Sequence, residues 1–534
     1  MPYAGGASLN KQKICLEGTR EDLLEEIIGW INSVEKDAPR IFWLHGPAGT
    51  GKSSIAHTIA HRFQKLERLG SCFCFDRSRM AERRHEKVFS TIAQDLANRD
   101  TSLLRQLTTV VHDNAALKNT TDILQQWEEL IMRPATALAE AIMGPIVIIV
   151  DALDESGDAA SRRVLLRILG NAMTESPVTD LPPNFRILLT SRPLPDIHTA
   201  FSGRTHIRQT SMDSIPSEST EHDILRFVSY ELSEVEFERP NREIFASLAG
   251  SSGRIFEWAR LACAYIRGDS DAGTGLEPHE RFKTITTRSK SDHVPLLDGM
   301  YKFTLETMFP GGRGPGLERF KSVMAQILGT KEPLLLGPLT SMRCHFPVKD
   351  LADVNIRTIV APMAALLSGA TDPSVPIRPL HASFADFLTD RERSHEFFID
   401  VDPIHNDLAF ASLGIMKEEL KFNICDLPSS HLPNSEVSDL DDRIKKYIPA
   451  ELAYSCRFWT DHVRGAKFNP ALAAEVQAFF NHKRMLFWFE VLSLLKIINI
   501  CAGSLSSIVQ WVMVCRMTFR VEIMFSRVPA SHRV

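Results

Sequence analysis

The chain of 534 residues lacks an excess of either charge, with 61 lysines and arginines against 66 aspartates and glutamates and a formal net charge of −5. That balance removes any general attraction to polyanions, so nucleic-acid binding would need a local basic cluster. The best candidate, Arg77 to Lys87, is interrupted by Glu82 and Glu86 and reads as a solvated helical face. Nucleic acid is therefore not expected as a partner. Paired C-x-x-C sets are missing too: the nine cysteines are scattered, which fits a reducing compartment rather than a secreted disulfide framework. Cys72 and Cys74 share one face of an apolar run and read as core rather than as metal ligands. His57-Thr58-Ile59-Ala60-His61 has zinc-protease histidine spacing without the glutamate, and reads as a polar helix surface. The N-terminus has no apolar segment flanked by basic residues, so no secretory signal is expected and the protein is placed in the cytoplasm. The uncharged run Ile497–Cys515 holds Asn499, Ser504, Ser506, Ser507 and Gln510, and a membrane span is not expected there. Nor is there an internal repeat.

What is present is a soluble globular composition, 44% apolar and 24% charged. The length calls for about two to four domains. One motif stands out. Gly46-Pro47-Ala48-Gly49-Thr50-Gly51-Lys52-Ser53, followed by Ser54, fits the phosphate-loop pattern G-x-x-x-x-G-K-[ST]. Ile41–Leu44 before it has the bulky apolar character of a strand covered on both faces. After it, Ile55, Ile59, Phe63 and Leu66 recur at helical spacing, so a helix is expected from about Ser53. A strand–loop–helix of this kind aims backbone N–H groups and the positive end of the helix dipole at one point, where phosphate oxygens can sit. Lys52 would reach the β- and γ-phosphates, and the Ser53 hydroxyl would take a position on Mg²⁺.

Five apolar runs, Ile41–Leu44, Cys72–Phe75, Ile146–Val150, Arg186–Thr190 and Thr205–Arg208, alternate with helical segments and predict a three-layer α/β domain with a parallel sheet. The third run ends in Asp151-Ala152-Leu153-Asp154-Glu155. Carboxylates at the carboxyl edge of a parallel sheet lie where ligands bind. Asp151 is the candidate Mg²⁺ ligand, and Asp154 or Glu155 the acceptor that would orient an attacking water. Arg192, just past the fourth run, could contact the γ-phosphate. Beyond residue 215, Ile224–Leu232, Ile244–Leu248 and Phe256–Ile266 read as amphipathic helices, and Gly268–Val294 as a polar connector. A proline-punctuated passage from Asp372 to Pro379 then leads into Leu380–Leu388, which suits a small winged-helix unit with His381 at the mouth of a helix.

With these pieces placed, the chain resembles the NACHT branch of the STAND nucleotide-switch ATPases, especially the large fungal NACHT proteins related to NLR immune receptors. The resemblance spans about residues 14 to 495. It rests on Gly18-Thr19-Arg20, GPAGTGKSS from Gly46, VDALDE from Val150, LLTSRP from Leu188 and LHASFADFL from Leu380. It implies a leader with a helix over residues 1–38, a NACHT P-loop NTPase domain over 39–212, and a helical domain with connector over 213–293. A winged-helix-like domain over 294–400, a helical domain over 401–495 and a degenerate or truncated tail over 496–534 would follow. It makes Gly46–Ser54 the Walker A loop and Asp151 with Asp154 and Glu155 the Walker B acids. Arg192 becomes the first sensor, Thr19 and Arg20 a leader element near the base, and His381 a contact to the β-phosphate in the diphosphate state. ATP or GTP with Mg²⁺ is the implied cofactor, with homo-oligomerisation on activation and protein partners engaged through repeats that are missing or truncated here. Arg254 and Glu257 depart from the family, whose members tend to be apolar at those positions. The implied function is a signalling switch that hydrolyses nucleotide slowly; the alternative is a scaffold that holds nucleotide without turnover.

Overall fold

Ile41–His45 (β1) joins Leu69–Cys74 (β2), Ile146–Asp151 (β3), Phe185–Ser191 (β4) and Ile207–Ser211 (β5) in one sheet ordered β2-β3-β4-β1-β5. All four pairings are parallel. The computed structural model describes the chain apart from residues 2, 36, 80–81, 138–143, 173–176, 238–240, 270–274, 289–294, 310, 312, 430, 432, 481–482 and 527–534. It divides into two units, Met1–Thr304 with His381–Ser383, and Leu305–Leu380 with Phe384–Val534.

The central strands read as continuous apolar runs because both faces are covered. Alternate residues go to opposite sides. Ile41, Trp43, Phe73, Ile148, Val150, Ile187 and Leu189 pack with the helices Val88–Arg99, Ala159–Leu169 and Pro195–Phe201. Phe42, Leu44, Cys72, Cys74, Val147, Ile149 and Leu188 pack with Glu21–Ile31 (α1) and Lys52–Lys65 (α2). This is the three-layer α/β arrangement expected from the alternation of runs.

Local differences have simple causes. The fifth strand lies two to three residues later than its apolar signal, over Ile207–Ser211. It is an edge strand of which only Ile207 is buried, so little hydrophobic pattern marks it. Among its described residues, Arg77–Lys87 does not form one helical face. It holds two short 3₁₀ turns, Arg77–Arg79 and His85–Lys87, and Arg83 donates to the carbonyls of Gly6 and Cys74. His57 is buried at 2% exposure, because its side of α2 faces the sheet rather than solvent. The stretch read as a connector contains the helix Pro278–Arg288; its residues 270–274 and 289–294 lie outside the described residues.

The helices Ser217–Glu231 (α3), Asn241–Ser251 (α4) and Phe256–Arg267 (α5) follow the sheet; α3 begins well before its apolar signal and stops just short of its end, α4 outruns its signal at both ends, and α5 matches its own closely. In the second unit, Leu367–Ser368 and Arg378–Pro379 form a two-stranded antiparallel hairpin, and the helix Ala382–Leu388, whose first two residues belong to the first unit, comes next in the chain. Two of its 16-residue helices, Ile404–Glu419 and Ala450–Gly465, pack together. Trp459 meets Phe479 and Trp488 at ring separations of 4.9 and 5.8 Å. Among the described residues no helix is long and apolar enough to cross a membrane.

Beside this core a polar chain is buried. The Lys331 N–H donates to the Tyr454 hydroxyl at 3.0 Å, Tyr454 pairs with His462 Nε2 at 2.7 Å, and His462 Nδ1 meets His405 Nδ1 at 3.0 Å. Burial pushes the His405 imidazole down to about 4, so the folded protein holds it neutral. An unfolded histidine titrates near ~6.5. The associated stability is therefore complete above that pH and is lost as pH falls from about 6.5 toward 4, where the unfolded chain binds the extra proton. With solvent screening at this partly exposed site, a loss of about 1 kcal/mol, or about 2–4 °C in Tm, is expected. Thermal melts at pH 7.5 and 5 check it, the step being smaller in His405→Gln but not abolished, because burial also holds His462 neutral.

Candidate functional site

The loop from Gly46 to Gly51 leaves β1 at the carboxyl edge of the sheet and turns into α2. Gly51, at φ 94°, occupies the cap position of α2, and among the described residues no side chain caps the helix start. Only glycine takes this conformation without strain. Gly49, at φ 78°, is also crowded: a Cβ there would lie 2.9 Å from Glu257 Cβ and 2.9 Å from Ile255 Cγ2. The Glu257 N–H donates to the Gly49 carbonyl at 3.2 Å, so the first turn of α5 rests on the loop. Gly49→Ala is expected to cost about 1–3 kcal/mol, from left-handed backbone strain and overpacking together. A denaturant titration reads this as a lower midpoint; a midpoint equal to that of the unmodified chain would refute the crowding.

Lys52 Nζ donates to the Gly46 carbonyl at 2.9 Å and the Pro47 carbonyl at 2.6 Å, which curls the loop around the ammonium. Burial pulls its pKa down to about 8, against the attraction of Asp154 and Asp151. Thr50 Oγ1 donates to the Pro47 carbonyl at 3.0 Å, and the Ser54 carbonyl accepts from Thr58 inside α2. Pro47 is exposed, and Ala48 is half-buried.

Ser53 Oγ donates to Asp151 Oδ1 at 3.0 Å, so the helix start and the end of β3 meet. Thr190 Oγ1, from β4, donates to the same oxygen at 2.5 Å. Past Asp151 the backbone turns through a left-handed Ala152 (φ 57°) into the 3₁₀ turn Leu153–Glu155. That turn sends the two remaining acids different ways. Asp154, buried, accepts from the Arg192 N–H at 3.1 Å and pairs with Arg192 Nε at 3.0 Å. Glu155 accepts from the Arg77 N–H at 3.2 Å, and burial, reinforced by Asp154 and Asp76, pushes its carboxyl up to about 7. Asp154 is the strongest attraction acting on Lys52, whereas Glu155 points toward the end of β2.

Two outlying segments expected at the site also belong to this unit. Arg20, itself left-handed at φ 60°, donates from its backbone to Asp223, and from its guanidinium to Thr220 (3.0 Å) and to the Thr50 carbonyl (3.1 Å). It also stacks on Phe256 at 4.9 Å. Arg20 thus ties the leader, the loop, α3 and α5 together. Thr19, also buried, donates to the Leu16 carbonyl at 2.7 Å. His381 accepts from the Ser383 N–H at Nδ1 (3.2 Å), and Ser383 Oγ lies 2.8 Å from the Tyr301 hydroxyl. Burial lowers the His381 pKa, Glu257 opposes this, and Arg260, Arg192 and Lys52 reinforce it. Glu257, buried, is paired with Arg260 at both carboxylate oxygens, 2.8 and 2.9 Å, which compensates its buried charge. Arg254, at φ 68°, turns outward instead, toward Ser217. Sequence reasoning missed Thr190, Tyr301 and the Glu257–Arg260 pair; the spacing of three between Glu257 and Arg260 was the available signal.

The donor set suits a magnesium–triphosphate. A hydroxyl and a carboxylate converge at the sheet edge, beside an ammonium and a helix start with no capping side chain.

The fold and this edge define the class: a P-loop α/β domain followed by helical domains. A family model described as Nephrocystin 3, N-terminal, matches residues 18–192, which run from the leader glycine to Arg192. No curated protein matches the chain. Among solved structures, it is similar to a Signal Transduction ATPase with Numerous Domains (STAND) protein with a tetratricopeptide repeat sensor from Pyrococcus horikoshii. The identity is 13% and the TM-score 0.39, over 94% of this chain and 64% of that one. The present chain thus spans less than two thirds of that protein's length.

Proposed function

We propose that the protein binds a nucleoside triphosphate, ATP or GTP, with Mg²⁺, and hydrolyses it slowly as a conformational switch of the STAND/NACHT type. The observation that carries this reading is the 3.0 Å bond between Ser53 and Asp151, beside a loop that wraps Lys52. In this reading the α2 amides and Lys52 hold the β- and γ-phosphates, while Ser53 and Asp151 hold the metal. Mg²⁺ bound there would neutralise charge developing on the phosphate oxygens. Asp154, the acid nearer Lys52, accepts the proton of the attacking water once a γ-phosphate draws Arg192 away from it.

Nucleotide can drive a switch only through different affinities for two conformations. The segment His381–Ser383 supplies a candidate difference. Held by Tyr301 and close enough to feel Lys52 and Arg192, it is well placed to sense whether the γ-phosphate is present. The hairpin and following helix support a winged-helix reading of the region around it. Assembly into homo-oligomers on activation and a cytoplasmic location complete the proposal.

The scaffold reading draws on a different observation: Asp154 is engaged by Arg192 and Glu155 by the Arg77 N–H. If those contacts persist with nucleotide bound, no acid is left to orient water. Identifying the nucleotide carried by freshly purified protein, with its mass in solution and its rate of phosphate release, tests both readings. Protein that neither carries nor takes up nucleotide defeats both. Bound triphosphate that is never hydrolysed selects the scaffold.

A further inference from the structure

Behind Asp151, on the α2 side of the sheet, three groups with no part in holding phosphate lie together. Cys72 and Cys74 are successive residues on one face of β2, with their sulfurs 3.8 Å apart. His57 Nε2 lies 3.8 Å from Cys74 Sγ and 4.0 Å from Asp151 Oδ2. All three are buried, at 5%, 6% and 2% exposure, so only a small reagent reaches them. The N-terminal segment closes the pocket from outside: the Ser8 carbonyl lies 3.9 Å from Cys74 Sγ, and the Asn10 N–H donates to His57 Nδ1 at 3.2 Å.

Two thiols and an imidazole at these spacings could hold a thiophilic metal ion or act as an oxidisable dithiol. The Asn10 contact decides between them. An imidazole that accepts at Nδ1 carries its proton on Nε2, the nitrogen facing Cys74, and so has no lone pair there for a metal. That N–H can instead stabilise negative charge on Cys74 sulfur as it attacks an electrophile. Alternate strand residues are about 6.6 Å apart at Cα, near the upper end of the range a disulfide spans. A bond formed there would be strained and readily reduced.

We propose that Cys72 and Cys74 are a hydroperoxide-oxidised dithiol, with Cys74 the attacking sulfur and Cys72 the resolving one. Cys74 sulfur attacks the peroxide oxygen, the O–O bond breaks, and the leaving oxygen takes a proton and departs as water or an alcohol. Cys72 sulfur then displaces hydroxide from the sulfenic acid, its own proton completing a second water, and the disulfide forms. The two sulfurs supply the two electrons that reduce the peroxide. Closing the bond draws Cys74 away from His57, whose N–H is left with Asp151 as its partner. Asp151 then holds the metal–triphosphate less well, a consequence that rests on the nucleotide reading above.

The test uses the reduced full chain, exposed to hydrogen peroxide, quenched by alkylation and mapped by mass spectrometry. The Cys72–Cys74 peptide should lose two hydrogens at least about tenfold faster than the other cysteines react, and dithiothreitol should restore it. Cys72→Ser should stop at a Cys74 sulfenic acid that a dimedone probe captures when the chain is unfolded in its presence. Oxidation no faster than elsewhere, direct passage of Cys74 to sulfinic acid, or stoichiometric zinc uptake by the reduced chain would each overturn the proposal. Magnesium–ATP titration of the same samples should show weaker binding after oxidation, recovered on reduction. A disulfide that leaves affinity unchanged overturns the link to Asp151, whereas absence of binding in the reduced chain counts against the nucleotide reading alone.

Discussion

Lys52→Ala is expected to weaken magnesium–ATP or magnesium–GTP binding by about a hundredfold or more, close to 3 kcal/mol. The ammonium has a double task. Its bonds to the Gly46 and Pro47 carbonyls shape the loop, and its charge faces the place where phosphate would sit. Alanine removes both and leaves two inward-facing carbonyls that repel an anion. Burial also holds Lys52 at about 8 in the free protein, so a phosphate that restores its charge draws in a proton on binding at higher pH. Calorimetric titrations in buffers of different ionisation enthalpy would detect that uptake above about pH 8 and its loss in the variant. Affinity within about threefold of the unmodified chain would remove Lys52 from the phosphate site.

Asp154→Asn should lower triphosphate hydrolysis by about 10²–10⁴-fold while leaving binding nearly intact. The substitution keeps the size of the side chain and an oxygen for the Arg192 N–H, but removes the base and the charge that holds the guanidinium. Glu155→Gln serves as the contrast. Its carboxyl, raised to about 7 and turned to the Arg77 N–H, is expected to matter less than tenfold, on the order of a single peripheral hydrogen bond. Single-turnover phosphate release from preloaded protein measures both variants, and a larger loss for Glu155→Gln would exchange the two roles.

The α/β layers were legible because buried parallel strands leave dense apolar runs, and four of the five lie close to where those runs stand. β5 was displaced because an edge strand has little to bury. The loop was legible for a related reason. Its chemistry demands glycine, lysine and a hydroxyl at fixed spacing, so the local sequence carries the geometry of Gly46–Ser53. Asp154 and Glu155 could not be told apart in the sequence, since their partners, Arg192 and Arg77, come from distant strand ends. His57 was misjudged for the opposite reason. Histidine is usually polar surface, and nothing near it in the sequence announces that Asn10 and Cys74 enclose it.

The first ten residues have a use beyond chemistry. β2 is a border strand, and the Ala7 carbonyl takes up the Cys74 amide there while Arg83 anchors Gly6. Trimming the chain to the point where its family resemblance begins would strip that cover and bare the Cys74 amide on a border strand, an invitation to strand-by-strand self-association. Expression designs that start at residue 14 should therefore precipitate where the longer chain stays in solution, a difference that light scattering would register.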